Sequence, residues 1–317
     1  AYTVHNGVMI LDPEIAGQTS KTVVIDYQGM FDDPFEAEPF SMDNPGQGVM
    51  GTITRDSAFF LGGSGWYPLI MDDTEQTFKV SVKAPRGIYA VMEVRLESHA
   101  DDAGHSISIW SVARPSGPLA MFAGRYVINE LMHDKIRIAT YFFPDNARLS
   151  KRYLEAVSRH ISRYEELHGP YPFAKFAVVE NFFPTGYGFP SFTLLGSRVL
   201  RLPFIPETSL RHEVAHCWWG NGVFIDYAGG NWCEGLTTYV ADYLSKEEQS
   251  AKEARAYRLR TLEKYALLAS GDNDFALTEF RSRYNPASQA IGYGKAMFVF
   301  HMMRQWIGDD PFWAALR

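Results

Sequence analysis

The chain has 317 residues, 46% of them hydrophobic and 15% aromatic, which is enough to bury more than one core and predicts two domains. Its formal net charge of −7 gives no broad attraction for a phosphate backbone, which argues against nucleic acid as a partner. No apolar run approaches the roughly 18 residues that a membrane span requires, so we predict no span within the chain.

The first 142 residues are predicted to form a β-rich N-terminal domain. Residues 77–83 alternate apolar and polar side chains up to Pro85, as expected for a half-buried strand. Further short apolar runs, broken by Gly, Pro or charged residues, lie at 88–96, 106–112, 119–128 and 136–143. Residues 32–51 are rich in Pro, Gly, Asp and Glu and are predicted to be a loop. Strands without intervening helices predict an antiparallel arrangement.

Residues 143–317 are predicted to be mostly helical around a small sheet, because the apolar period changes after Pro144. An apolar stripe through 149–167 predicts a helix that stops at Gly169-Pro170. A short strand is predicted at 173–179, and four more helices at about 207–220, 231–244, 247–270 and 286–307. Asp310-Pro311 predicts the start of another helix. The predicted fold class is therefore α+β.

The segment His212-Glu213-Val214-Ala215-His216 indicates a metal site. Residues four apart share one face of a helix, so both imidazoles can point at one ion. Glu213 is rotated about 100° from His212 on a helix. It therefore lies beside the ion, where it can accept a proton from an attacking water. The alternative is a pair of surface histidines, but Leu210, Val214 and two tryptophans make the setting apolar.

Glu234 supplies the third ligand that a catalytic zinc requires, leaving one position open. It lies 18 residues after His216. The glycines between them, at 220, 222, 229 and 230, allow the chain to reverse and bring two helices together. We predict one zinc ion per chain, held by His212, His216 and Glu234.

The sequence at this site resembles the aminopeptidase N family of gluzincin zinc peptidases. The resemblance is carried by His-Glu-Val-Ala-His-Cys-Trp-Trp-Gly-Asn at 212–221, Trp-Cys-Glu-Gly at 232–235 and Tyr-Gly-Lys-Ala at 293–296. Gly-Trp-Tyr-Pro at 65–68 is similar to a turn in that family's N-terminal domain. The resemblance implies an N-terminal β domain, residues 1–142, followed by a thermolysin-like zinc peptidase domain, residues 143–317. It also implies a C-terminal helical domain, which is absent or lies beyond Arg317.

The resemblance also implies residue roles. Glu213 would be the general base, and Tyr293 would donate its phenolic hydrogen to the oxyanion. The loop Gly186, Tyr187, Gly188 and Phe189 would bind a peptide substrate along the cleft. Taken alone, Tyr293 would more often be a packing residue, but its place in the motif favours a catalytic role. Thr238, one turn after Glu234, is equally a candidate partner of a ligand or a plain helix residue.

One departure concerns the substrate's N-terminus. The family's loop carries a Glu that binds the free α-amine, and Gly188 stands in its place. Phe59 and Phe60 stand near the family's second amine-binding position, and Glu180 is either a replacement or part of a strand-end salt bridge. The expected activity is peptide-bond hydrolysis. Four interpretations stay open. The chain is an aminopeptidase, an endopeptidase or hydrolase of N-blocked peptides, a non-catalytic relative that binds peptides or partner proteins, or a hydrolase of non-peptide amides or epoxides.

Cys217 and Cys233 are the two cysteines, which are too few for a disulfide framework. Both neighbour candidate zinc ligands but are predicted to be buried, inert thiols. The chain opens at Ala1 without an initiator Met or a signal-like segment, so removal of a leader or anchor is one expectation. Exported, cell-envelope and cytoplasmic locations stay open, as does the oligomeric state.

Overall fold

The computed structural model describes residues 2–5, 8–11, 22–36, 48–70, 75–269 and 271–317. It divides into two compact units, residues 1–31 and 32–317. The first unit holds a hairpin in which strand β1 (Tyr2–His5) pairs antiparallel with β2 (Val8–Leu11). Most of the loop predicted at 32–51 lies outside the described residues.

The second unit opens with two antiparallel sheets, as the sequence predicts. Their strands are β3 (Gly51–Ile53), β4 (Ser57–Phe60), β5 (Gln76–Pro85), β6 (Tyr89–Met92), β7 (Arg95–Asp101), β8 (His105–Ser116) and β9 (Met121–Gly124). One sheet has the order β3-β4-β9-β6 and the other β5-β8-β7. Strand β5 alternates half-buried and exposed residues along its length, which confirms the alternation read from the sequence.

A five-stranded mixed sheet follows, and it positions the candidate site. Its strands are β10 (Val127–His133), β11 (Ile136–Phe142), β12 (Lys175–Asn181), β13 (Gly186–Phe189) and β14 (Phe192–Gly196), in the order β10-β11-β12-β14-β13. Strand β12 lies parallel to β11 and β14, whereas β13 pairs antiparallel with β14 at the edge of this sheet. The domain boundary at residue 142 stays a prediction, and this sheet draws strands from both sides of it.

The loop predicted at Gly186–Phe189 is a strand in the structure. Gly186 pairs with Leu195 and Phe189 with Phe192. The two glycines in this segment have no side chains to show a period of two, so the alternation typical of a strand is hidden in the sequence.

The helices are α1 (Ser150–His168), α2 (Ser197–Leu200), α3 (Ser209–Ala215), α4 (Cys233–Thr237), α5 (Leu244–Gln249), α6 (Ala251–Leu268), α7 (Pro286–Gln289), α8 (Ala296–Ile307) and α9 (Asp309–Ala315). Two π-helical turns, Thr238–Tyr243 and Ala290–Lys295, join α4 to α5 and α7 to α8. The helix predicted at 247–270 is interrupted at Ser250, whose extended backbone and side chain cap α6 by accepting a hydrogen bond from the Glu253 amide at 3.1 Å.

The five-stranded sheet separates two hydrophobic cores. Ile138, Val178 and Leu195 point into a core shared with α1 and the site helices. Their chain neighbours Ala139, Val179 and Leu194 point into the core shared with the antiparallel sheets. Successive side chains of a strand face opposite sides, so both faces of β11, β12 and β14 are covered. None of the described helices is long and apolar enough to cross a membrane.

Candidate active site

His212 lies on α3 and His216 caps its C-terminal end, so the helix predicted at 207–220 ends at Ala215 in the structure. Leu210 and Val214 are fully buried on the inner face of α3, which fixes the rotation of the helix. His212 and His216 are then side by side on the opposite face, with their Nε2 atoms 3.1 Å apart.

Glu234 reaches the same point from α4. Its Oε2 lies 3.4 Å from the Nε2 atom of His212 and 3.4 Å from that of His216. Gly220 and Gly230 bring the second helix back, and both have positive φ angles, 100° and 95°. A Cβ at Gly220 would lie 2.7 Å from the Cys233 sulfur, so the close approach of α4 to α3 requires a glycine there.

The three donor atoms fit a zinc ion. Zinc takes nitrogen ligands at about 2.0–2.1 Å and carboxylate oxygens at about 2.0–2.2 Å in a tetrahedron, which places neighbouring donors about 3.3–3.5 Å apart. The observed separations are 3.1, 3.4 and 3.4 Å. Within the described ranges of the chain, His212, His216 and Glu234 form the one group of three metal-binding side chains with converging donors.

The Nδ1 atoms of both imidazoles have hydrogen-bond partners within the protein. His212 Nδ1 lies 3.0 Å from Asp242 Oδ2, and His216 Nδ1 lies 3.1 Å from the Trp219 carbonyl oxygen. Because both partners accept hydrogen bonds, they place the proton on Nδ1 and leave the Nε2 lone pairs free to bind a metal. Sequence analysis missed Asp242. Thr238, considered for this role, is buried with no hydrogen-bond partner for its hydroxyl in the described chain.

The carboxylates around the cluster favour a second proton on His212, and zinc would displace this proton on binding because a ligating imidazole is neutral. Burial alone would lower the pKa of His212, but the neighbouring Asp242 and Glu234 raise it to about 10. Burial alone would raise the pKa of Glu234, but the two imidazoles hold it well below its usual range. Glu234 is therefore an anion at neutral pH, as a metal-binding carboxylate must be.

The carboxylate of Glu213 lies against β13. A Cβ placed on Gly188 would lie 2.5 Å from its Oε2, so this strand runs directly over the carboxylate. Burial raises the pKa of Glu213, and the neighbouring imidazoles of His216 and His212 partly oppose the rise. A carboxylate with a raised pKa is suited to accept and return a proton near neutral pH.

Tyr293 lies in the π-helical turn Ala290–Lys295, and its ring stacks near that of His212 with the centroids 6.2 Å apart. Burial raises the pKa of the Tyr293 hydroxyl far above its ordinary value, so the group stays protonated and can donate a hydrogen bond.

These groups share one cavity of about 570 Å³, whose lining includes Gly186, Tyr187 and Gly188. Phe189 is not part of the lining and stacks on Phe192 with the ring centroids 4.7 Å apart. A cavity of about 640 Å³, lined by residues such as Tyr89 and Tyr141 of the β sheets, lies away from this chemistry. The convergence of functional groups, and not cavity volume, marks the candidate active site.

Comparisons with known proteins point in the same direction. Aminopeptidase RNPEPL1 of Homo sapiens is 24% identical over 248 residues, which cover 74% of this chain and 33% of that protein. Aminopeptidase 2, mitochondrial, of Saccharomyces cerevisiae is 25% identical over 196 residues, 56% of this chain and 20% of that protein. No family model matches the chain. The chain thus spans about a third of the length of the human relative.

The solved structure of an M1 zinc metallopeptidase from Deinococcus radiodurans matches with a TM-score of 0.66 and 19% identity, covering 89% of this chain and 64% of that chain. The sequence relatives and this structural neighbour are all peptidases by name. The chain is similar in sequence to aminopeptidases and in fold to an M1 zinc metallopeptidase. Structural likeness at this identity establishes the fold, a combination of sheets and helices with an N-terminal β region.

Glu180, Phe59 and Phe60, the residues at or near the family's amine-binding positions, do not line the cavity. Glu180 is buried, and its Oε2 accepts a hydrogen bond from the Phe143 amide at 2.7 Å. It does not line the cavity, so it serves the turn after β11 rather than the substrate. Phe59 and Phe60 are also buried in the β region and lie outside the cavity lining.

A buried polar network that sequence analysis did not find holds the turn after β13. Ser191 has a positive φ of 74°. Its hydroxyl oxygen lies 2.9 Å from Lys175 Nζ and 2.8 Å from the Val94 amide nitrogen. Lys175 is fully enclosed, and burial lowers its pKa to about 7 although Glu93 opposes the shift. The network ties the edge strand to the antiparallel sheets.

Both cysteines are buried, as predicted. Cys217 hydrogen bonds with the Tyr171 hydroxyl at 3.3 Å. Cys233 is one helical step, about 100°, from Glu234, yet its sulfur does not point away from the zinc-binding cluster. Its sulfur lies 3.2 Å from His216 Nδ1 and 2.9 Å from the Trp219 carbonyl oxygen. It therefore supports the outer side of His216 and lies on the opposite side of the ring from Nε2.

Proposed function

We propose that this chain is the zinc-dependent catalytic portion of a metallopeptidase that hydrolyses peptide bonds. The observation that carries the proposal is the convergence of His212 Nε2, His216 Nε2 and Glu234 Oε2 at separations that suit tetrahedral zinc. Residues 143–317 would then form a thermolysin-like domain. The sheet β10–β14 and helices α1, α3 and α4 support that assignment by placing the site beside an open sheet edge.

His212, His216 and Glu234 would hold one zinc ion, which supplies Lewis acidity and lowers the pKa of water. Glu213 accepts a proton from the attacking water and later donates it to the leaving nitrogen. Tyr293 donates its hydroxyl hydrogen to the carbonyl oxygen as negative charge develops there, an effect of about 3 kcal/mol at comparable sites. Asp242 keeps His212 oriented through its Nδ1 atom.

The edge strand β13 would bind an extended peptide. In the described chain it pairs on one side, with β14, so its other side can hydrogen bond with a substrate backbone. Gly188 brings that backbone close to Glu213 because it carries no side chain. A related protein from Deinococcus radiodurans, an E323A mutant, was crystallised with a Tyr-Ser-Ala substrate, which supports a peptide as the substrate here.

The proposed activity does not depend on a free N-terminus. Among the residues that the structure describes, the carboxylates that line the cavity are Glu213, Glu234 and Asp242. All three are assigned to the base or to the histidine cluster, so none is left to pair with an α-ammonium. A buried ammonium without a partner is costly. The relatives are named aminopeptidases, and this chain would differ from them by also accepting N-blocked peptides.

Matched peptides with free and acetylated N-termini test the proposal on the zinc-loaded protein. We expect acetylated peptides to be cleaved with kcat/KM at least equal to that of the free peptides. Glu213→Gln should reduce turnover of both by at least ~10²-fold at unchanged zinc content. A preference of ~10²-fold or more for the free amine would show that another group binds the amine. Full activity of Glu213→Gln would remove the proposed base.

A further inference from the structure

Arg283 is the one lysine or arginine among the described residues that line the site cavity. It is partly buried, and its guanidinium makes no hydrogen bond or ion pair with any residue in the described part of the chain. A guanidinium is permanently charged and carries five hydrogen-bond donors in a planar fork. A partly desolvated cation without a partner is unfavourable, so its surroundings favour an anion.

The backbone that carries Arg283 is fixed on both sides. Before it, the Asn231 side-chain amide donates to the Arg281 carbonyl oxygen at 3.0 Å. After it, the Tyr284 amide donates to Ser288 Oγ at 3.0 Å, and Asn285 forms a reciprocal cap with Ser288. Asn231 also accepts a hydrogen bond from the Cys233 amide, next to Glu234. The position of Arg283 is therefore coupled to the helix that carries a predicted zinc ligand.

No carboxylate of the cavity neutralises Arg283. Asp242 pairs with His212, and Glu234 Oε2 lies between the two imidazoles. Glu213 lies beneath Gly188 on the side of β13. The wall formed by Arg283 and Tyr293 thus presents positive charge and hydrogen-bond donors, which complements a negatively charged group that enters with the substrate.

We propose that Arg283 binds a carboxylate of the peptide substrate and so selects anionic peptides, an inference that rests on the proposed peptidase function. The carboxylate is either the free C-terminus of a short peptide or the side chain of Asp or Glu. Both present the same planar pair of oxygens to the guanidinium fork. Arg283 is in this view a specificity residue, separate from the base and from the metal ligands.

The test measures kcat/KM for two matched pairs of peptides on the zinc-loaded protein. One pair differs only in a C-terminal acid or amide, and the other only in Glu or Gln at one position. The wild type should prefer the acidic member of one pair by about 10-fold or more, the range of a hydrogen-bonded charge pair. The pair that shows the preference identifies the source of the carboxylate.

Variants assign the preference to Arg283. Arg283→Gln should reduce it below about 2-fold while neutral peptides are cleaved within about 3-fold of the wild-type rate. Arg283→Lys keeps the charge without the fork and should keep part of the preference. Arg281→Gln is the matched control. Arg281 is exposed, its guanidinium bonds the Thr278 and Phe280 carbonyl oxygens at 2.6 and 3.2 Å, and the preference should be unchanged.

The outcomes separate the two proposals. Hydrolysis of all four peptides without discrimination, or a preference that survives Arg283→Gln, would overturn the role of Arg283 and leave the peptidase proposal standing. An equal loss of kcat for neutral and acidic peptides would show that Arg283 acts on the reacting oxygen instead, and would also overturn it. Failure of the wild type to cleave any of the four would reject the peptidase function and the inference together.

Discussion

Gly188 of the edge strand lies next to the carboxylate of Glu213. The missing side chain at 188 leaves room for the Glu213 carboxylate. Under the proposed function it also leaves the substrate amine without an anchor. A side chain added at this position must displace that carboxylate. Restoring an acid at 188 would therefore disturb the base as well as the substrate site.

Gly188→Ala tests this contact. Its Cβ would lie 2.5 Å from Glu213 Oε2, so the flexible carboxylate must move away from the path of the attacking water. We expect kcat to fall by at least ~10-fold, with little change in the free energy of unfolding. Gly186→Ala on the same strand has nothing within 4 Å of the added methyl group and should lose much less activity. Equal losses in the two variants would contradict the contact.

Tyr293→Phe tests the oxyanion donor. The variant removes one hydroxyl and little packing, so the protein should remain folded. If the hydroxyl acts only on the developing negative charge, kcat should fall by about 10²-fold while KM barely changes. Tyr284→Phe removes the hydroxyl of an exposed tyrosine and should leave both parameters unchanged. A wild-type kcat for Tyr293→Phe would return Tyr293 to a packing role.

Among the elements, the two π-helical turns carry site residues that a regular helix would direct elsewhere. Asp242 lies in the turn Thr238–Tyr243, eight residues after Glu234. On a regular α-helix these residues would be about 80° apart, and the wider turn changes that offset. Tyr293 lies in the second turn, Ala290–Lys295. Such turns occur frequently at functional sites.

Asp242→Asn tests the support of His212. The amide retains an acceptor oxygen but loses the charge that favours a proton on Nδ1. We expect zinc affinity to fall by ~10–100-fold, measured by competition with a chelator. Asp310→Asn, which removes an exposed acid on α9, should leave the affinity unchanged. An unchanged zinc affinity in Asp242→Asn would show that Asp242 does not support zinc binding.

The elements also show how far the sequence predicts this structure. Apolar periodicity predicts α1 and the helices of the site, and the spacing of His212, His216 and Glu234 predicts the group that converges. A π-helical turn has no distinct apolar period, so the position of Asp242 could not be read from the sequence. The identity of β13 as a strand, and the contact of Gly188 with Glu213, depend on pairing with β14, which is a tertiary interaction.

At the scale of the whole molecule, the two hydrophobic cores pack on opposite faces of the five-stranded sheet. The stability of the fold depends in part on titratable groups buried in the helical part. His160 and His168 are buried there, and burial lowers the pKa of each to about 4. In the unfolded chain these groups titrate near 6.5. As the pH falls from 6.5 toward 4, the unfolded chain binds protons that the folded chain does not, so the free energy of unfolding decreases.

His168→Phe tests this pH dependence. The ring of His168 lies among Tyr164, Trp218, Trp219 and Trp313, so phenylalanine keeps the aromatic packing and removes a titrating group. The loss of stability between pH 6.5 and 4 should be smaller in the variant by up to about 3 kcal/mol. Denaturant unfolding of both proteins across this range provides the measurement. An identical pH dependence would contradict burial as its cause.

The central claim is that His212, His216 and Glu234 hold one zinc ion, and zinc content by elemental analysis tests it most directly. The wild type should contain about one zinc per chain, because three donors on two helices converge at tetrahedral separations. His216→Ala and Glu234→Ala should each lose nearly all of it while remaining folded by circular dichroism. Zinc retained at full occupancy in both variants would contradict the assignment of the site.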